Sequence, residues 1–182
     1  CLRLPLSTHS DLLTAYLIPI FKRKGSVHEC KHFRPVVLLS VGLKVLNRML
    51  LIRIRDAVDP FLLPNQAGFR PGRSCTQHIL ALSELVFEAQ SRQSCPLYIL
   101  YVDFCQAFDS VSYDSLRRVF DYWQIPVVYQ NFIMHTLENQ RLFVRHDGKS
   151  SAVPIHPLAG VLQGDTLAPF VFTMVVDYVL RL

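Results

Sequence analysis

The stretch Leu97–Val111, LYILYVDFCQAFDSV, limits the fold more than any other part of the chain. In strand alternation Leu97, Ile99, Tyr101 and Asp103 share one face, while Tyr98, Leu100 and Val102 share the other. Both faces are apolar, which predicts a strand over Leu97–Asp103 buried on both sides. An ionised carboxylate at the tip of such a strand costs several kcal/mol, on the order of that known for buried ions, unless it is paired or ligates a metal. Two readings of Asp103 follow from position alone. It either pairs with an amide or arginine at an exposed strand end, or it holds a cation.

The rest of the chain supplies the other layers. Tyr16–Phe21 (YLIPIF) and Val36–Leu39 flank the basic turn FKRKG and read as a hairpin. From Gly42 to Val58, apolar residues recur at Leu43, Leu46, Leu50, Ile54 and Val58, the spacing of an amphipathic helix. Lys44, Arg48 and Arg55 fall on a different face, open either to solvent or to phosphate contact. Asp59-Pro60 ends that helix. A second helix is predicted over Thr76–Ala89, with Ile79, Leu82, Val86 and Ala89 on one side. Ser112 is a natural N-cap for a helix through Trp123, with Asp114 in its first turn. A further helix is expected from Pro126 to about Asn139. Asp147-Gly148 between Arg141–His146 and Lys149–Ile155 is a strong hairpin signal. Pro169 opens a helix over Phe170–Leu182. Helices interleaved with hairpins predict an α+β fold.

Composition closes off several classes. With 51% hydrophobic and 18% charged residues among 182, the chain can bury a core. Its longest uncharged apolar stretch, Thr166–Val176, falls short of the roughly 20 residues a bilayer helix needs. Five scattered cysteines with no C-x-x-C pair indicate neither a disulfide framework nor a zinc ribbon. H-x-C-x-H at His28, Cys30 and His32 matches no common zinc spacing and reads as a polar loop. The net charge of +5 is compatible with a nucleic-acid partner without establishing one. An intracellular setting, nuclear or cytoplasmic and not secreted, is the expectation.

Four motifs carry a family resemblance. VDFCQAFDSV resembles the palm motif of reverse transcriptases, in particular those of non-LTR, LINE-like retrotransposons. HFRPVVLLS resembles the fingers segment usually seen as YRPISLLS, and QAGFRPGRS the loop between fingers and palm. GVLQGDTLAP is similar to the motif usually seen as GVPQGSPLSP. They occur in the family's order across about Tyr16–Leu182. The resemblance implies a right-hand polymerase. Residues 1–95 would form fingers and 96–182 the first part of the palm, with a helix and hairpin segment inserted at about 113–157.

It also implies chemistry. Template-directed synthesis attacks a deoxynucleoside triphosphate with a primer 3′-hydroxyl, aided by two Mg²⁺ ions about 4 Å apart. Such ions take hard oxygen ligands. By resemblance, Asp103 is the catalytic metal ligand, with the Phe104 backbone carbonyl beside it. Phe108 is the steric gate that excludes a ribose 2′-hydroxyl by clash. Asp109 reads as a turn or helix-entry acceptor and not as a metal ligand. Lys22, Lys24 and Arg34 fall where the family grips the triphosphate, as a mobile charge or a fork of donors. Gln163 and Gly164 would touch the nucleotide and template base, glycine allowing close approach. Asp165 and Thr166 depart from the usual Ser-Pro. Arg70 and Arg73 would neutralise template phosphates. The implied partners are an RNA template, a DNA primer and dNTPs.

The family's second metal motif, with two adjacent aspartates, is missing, since no Asp-Asp or Asp-Glu pair occurs in the chain. By resemblance it would lie just downstream of Leu182, so the chain is expected to be a piece of a longer polypeptide, without a thumb and inactive by itself. A non-catalytic RNA-binding scaffold or a decayed element copy is the competing reading.

Overall fold

The computed structural model describes residues 12–92 and 96–182. The two proline-bearing runs pair as expected, over longer spans. Strand β1 (Thr14–Phe21) and strand β2 (Phe33–Leu38) are antiparallel, and Pro19 stands directly opposite Pro35. The Lys22 amide donates to the His32 carbonyl at 2.8 Å, which sets the alternation of rungs. Pro19–Pro35 therefore falls on a rung without hydrogen bonds, where a missing N–H breaks no rung of this pair. By the same alternation Val37, opposite Leu17, points its N–H outward from the sheet edge.

In the turn between them, a short 3₁₀ segment, Cys30–His32, folds the His32 ring against Gly25, where φ is +85° and a side chain would strike the imidazole. His32 Nδ1 lies 2.8 Å from the Ser26 carbonyl oxygen. The histidine thus fills the turn, in keeping with a polar loop.

Helix α1 (Val41–Val58) starts at Ser40, whose hydroxyl accepts from the Leu43 amide and donates to the Leu12 carbonyl. Its apolar stripe is buried at Leu43, Leu50, Ile54 and Val58. Arg55 lies over the Phe170 ring at 5.7 Å, so this member of the basic face packs inward. Helix α2 (Cys75–Ser91) carries a capping box between Ser74 and Gln77. None of its residues is buried; Leu82, Val86 and Ala89 are the less exposed side, while Ile79 is exposed.

Helix α3 (Tyr113–Tyr122) is capped by Ser112 as expected, and helix α4 (Val127–Glu138) follows Pro126. Strand β3 (Arg141–His146) then turns through Asp147 and Gly148, both at positive φ, into β4 (Lys149–Ser150). The return strand is shorter than predicted, and Ile155 contributes only an isolated bridge to Leu142. Strand β3 runs parallel to β1, giving the sheet order β2-β1-β3-β4. Helix α5 (Ala168–Leu180) begins with Pro169 in its first turn and buries Phe170, Val171 and Met174 in the core shared with α1 and α3. The fold is α+β.

One prediction fails. Leu97–Asp103 forms no strand, and its side chains are open to solvent, with Tyr98 and Leu100 nearly 90% exposed at 89% and 88%. A strand is held by bonds from a neighbour. Among the described residues no strand pairs with this run.

Candidate functional site

The free N–H at the edge of β2 organises the site. Val37 donates it to the Gln163 carbonyl at 2.7 Å, docking the loop before α5 onto the sheet edge. The next residue, Gly164, has φ +112° and lies so close that a Cβ would land on the Val37 carbonyl oxygen. Only glycine suits that conformation and approach. Upstream in the same loop, the Val161 amide donates to the Phe108 carbonyl and the Gly160 amide to the Val111 carbonyl, both at 2.8 Å. A Cβ on Gly160 would lie 2.8 Å from the Asp109 Cα. The Gln163–Gly164 loop and the Phe108–Val111 turn are thus locked together, and the first is locked to β2.

Side chains follow the backbone. Gln163 Nε2 donates to Asp109 Oδ2 at 3.1 Å. Burial pushes the Asp109 carboxyl above its usual range, opposed by that hydrogen bond and by the positive charge of Lys22. Lys22 itself donates to the Lys31 carbonyl at 3.0 Å. Lys24 and Arg34 are exposed, Lys24 in the hairpin turn and Arg34 on β2 opposite Ile20. Lys22, Asp109, Gln163 and Gly164 therefore converge.

Phe108 sits in an aromatic group. Its ring lies 4.9 Å from that of Phe172 on α5, and Phe69 approaches edge-on at 6.3 Å. Phe104 meets Phe172 at 6.0 Å. Asp103 is exposed and makes no hydrogen bond or ion pair among the described residues. A carboxylate with unengaged lone pairs suits a hard cation such as Mg²⁺. No group of three or more His, Cys, Asp or Glu side chains able to hold a metal occurs among the described residues.

The two loop arginines part company. Arg73 is exposed. Arg70 is turned inward, with only 6% of its side chain exposed. Its guanidinium donates to both carboxylate oxygens and the carbonyl of Asp59, and to the Leu63 and Gln66 carbonyls. These bonds fold the loop after α1 onto itself and leave Arg70 no donor for a template phosphate, against expectation. Lone arginines in loops give no sign from sequence of which way they turn.

Sequence reasoning also missed partners of the Gln163–Gly164 loop. Asn47 on α1, 2% exposed, donates to Asp165 Oδ1 at 2.9 Å, and the Leu167 amide donates to the same oxygen at 3.2 Å. Burial raises the Asp165 pKa despite these bonds. The departure from Ser-Pro thus has a structural use: the carboxylate ties the loop to α1 and to the start of α5. Asn47, a lone polar residue at helical spacing within an apolar stripe, was the available signal.

A family description, reverse transcriptase (RNA-dependent DNA polymerase), matches residues 20–182. The chain belongs to the reverse transcriptase family. Three proteins it is similar to are retrotransposon polyproteins. It is 31% identical over 149 residues to the retrovirus-related Pol polyprotein from type-2 retrotransposable element R2DM of Drosophila melanogaster. The corresponding polyprotein of type-1 retrotransposable element R2 from Nasonia vitripennis is 32% identical over 149 residues. Each alignment covers 82% of this chain and 14% of the relative. That from Popillia japonica is 28% identical over 167 residues, 92% of the chain and 23% of the relative. This is a reverse transcriptase domain of the non-LTR retrotransposon type, spanning about a seventh of the first two relatives. Polymerases of this family generally use Mg²⁺. No helix among the described residues is long and apolar enough to cross a membrane.

Proposed function

We propose that this reverse transcriptase domain supplies the incoming-nucleotide side of an RNA-directed DNA polymerase acting in retrotransposition, inside the cell in nucleus or cytoplasm. Residues 1–95 act as fingers and 96–182 as the first part of a palm, with the 113–157 segment inserted. The observation that carries this reading is the joint docking of the Gln163–Gly164 loop on Val37 and on the Phe108–Val111 turn. It brings the Gln163 amide onto the carboxylate of Asp109, the residue after Phe108, which also feels the positive charge of Lys22.

Each residue then has a task. Lys22, Lys24 and Arg34 attract and orient the triphosphate, Arg34 with a fork of donors. Gln163 fixes the nucleotide, and Gly164 lets the backbone approach it. Phe108 closes the space a 2′-hydroxyl would need. Arg73 draws the template backbone. Asp103 and the Phe104 carbonyl would hold Mg²⁺, which when bound there would supply charge stabilisation for the reacting oxygens. One carboxylate does not hold a two-metal centre, so the isolated domain is inactive.

Primer extension on an RNA template with dNTPs and Mg²⁺ tests this. The domain alone is compared with a longer polypeptide that carries it through the following stretch of its parent, with and without Asp103→Ala. Extension only by the longer chain, abolished by Asp103→Ala, is the expected result. Extension by the 182-residue chain alone overturns its inactivity. A longer chain that folds and binds RNA yet never extends gives way to the non-catalytic scaffold or the decayed copy.

A further inference from the structure

Phe69 is a poor choice on every structural ground. Its backbone is left-handed, φ +57°, a conformation that is strained for a residue with a Cβ. Its side chain is 60% exposed. A glycine would relieve the first problem and a polar residue the second. The positions on either side hold it there: the Gly68 carbonyl lies 3.4 Å from Thr173 Oγ1 on α5, whose single proton it shares with the Pro169 carbonyl at 3.1 Å, and Arg70 is buried in its five-bond clasp. Between these anchors the Phe69 ring is delivered edge-on to Phe108, with centroids 6.3 Å apart and planes at 76°. Strain that persists at such a contact points to function.

We infer that Phe69 is a positioning residue for sugar selection, pinning the gate ring of Phe108 from the solvent side while Phe172 supports it from α5. The Phe108 backbone is already fixed, because its carbonyl accepts from Val161. What remains free is the ring's rotation about its side-chain bonds. Phe172, at 4.9 Å and tilted 32°, and Phe69, at 6.3 Å and steeply inclined at 76°, both flank the ring. With Phe69 gone the ring can swing toward the vacated side and yield to a 2′-hydroxyl. The inference rests on Phe108 being the gate.

The test is the ratio of kcat/KM for a dNTP to that for its rNTP, measured by primer extension with the longer polypeptide. A ratio does not depend on the folded fraction. Phe69→Gly is expected to lower it about two- to twelve-fold, the equivalent of an edge-to-face aromatic pair worth ~0.5–1.5 kcal/mol. Phe69→Tyr, which keeps the ring, is expected to retain it, and Phe108→Ala to lower it further. An unchanged ratio for Phe69→Gly beside a lowered one for Phe108→Ala overturns the inference alone. An unchanged ratio for Phe108→Ala removes the gate and the inference together. On the domain itself, melting temperatures read the same contact: the shift from Phe69→Gly should differ between native and Phe108→Ala backgrounds. Equal shifts overturn the pinning.

Discussion

The Gln163–Gly164 loop and the Leu97–Asp103 run carry the two halves of the proposed chemistry, and they are built in opposite ways. The loop has no regular structure yet is fixed at several points: one bond to Val37, two to the Phe108–Val111 turn, and two glycine contacts too close for a side chain. The run has the composition of a strand yet touches no strand among the described residues, and its apolar side chains face solvent. A loop can be positioned by single bonds to other parts of its own chain, each made one at a time. A strand takes its register from the strands beside it. The proposed nucleotide-gripping side is therefore preorganised by contacts within this chain, whereas the proposed metal ligand Asp103 lies on a run that no strand holds among the described residues.

If that contrast is right, substitutions at the fixed loops should be costly and those in the open run should not. The largest effect is expected at Arg70. Arg70→Ala leaves Asp59 without its partner and the Gln66 carbonyl without its donor, and takes from the Leu63 carbonyl one of its two donors, the other being the Gln66 amide. Breaking such a pair costs roughly 3–5 kcal/mol, toward the low end here because Asp59 is partly exposed. Denaturant unfolding of the domain reads this directly. A near-neutral result would remove Arg70 from the loop's framework and restore it as a candidate for template contact. Gly164→Ala comes next. It forces a Cβ onto the Val37 carbonyl at φ +112°, and strain of this kind costs about 1–3 kcal/mol. The loop would lift from β2, seen as faster hydrogen exchange at the Val37 amide.

These two residues also show what sequence reading reaches. The helices α1, α3, α4 and α5 were legible because caps and apolar periodicity are local signals. Both hairpins were legible from the basic turn and from Asp147-Gly148. Gly164 was legible as a close-approach glycine, though not what it approaches. Arg70 was misread because an arginine in a polar loop is equally suited to solvent, phosphate or a buried carboxylate. Asp109 was read only as a turn or helix-entry acceptor, since its bond to Gln163 spans 54 positions that no pattern connects. The Leu97–Asp103 run was read as buried because its side chains ask for burial, while the strands that would cover it are a property of partners.

The Asn47–Asp165 tie sharpens the comparison at intermediate size. Asp165→Ala leaves the Asn47 amide buried without its acceptor, a loss of about 1–3 kcal/mol. Asp165→Asn keeps an acceptor oxygen and removes a buried charge. The Asp165 pKa is raised in the folded state, chiefly by burial. The native domain therefore holds this proton more tightly than the unfolded chain, and stability falls as pH rises from the ordinary carboxylate value of 3.8 through the raised one. Asp165→Asn should abolish that part of the slope and match or exceed the native domain in stability at neutral pH. Unfolding curves across the acid range check it. An Asn variant that loses as much as the Ala variant would mean the charge itself holds the loop.

The smallest effect belongs to the open run. Leu100 is 88% exposed, so Leu100→Ser removes almost no buried apolar surface from the domain. Its expected effect on unfolding is within about 0.5 kcal/mol, as for surface substitutions generally. The same change in the longer polypeptide distinguishes the origins of order. If pairing organises the run there, Leu100 passes from solvent to a covered face, and the loss should rise to about 1.5–3 kcal/mol, the value of burying a leucine. A small loss in both settings would mean that Leu97–Asp103 stays open even in the larger protein. Asp103 would then sit on an unsupported segment, which would undercut its role as a rigid metal ligand more directly than any change at Asp103 itself.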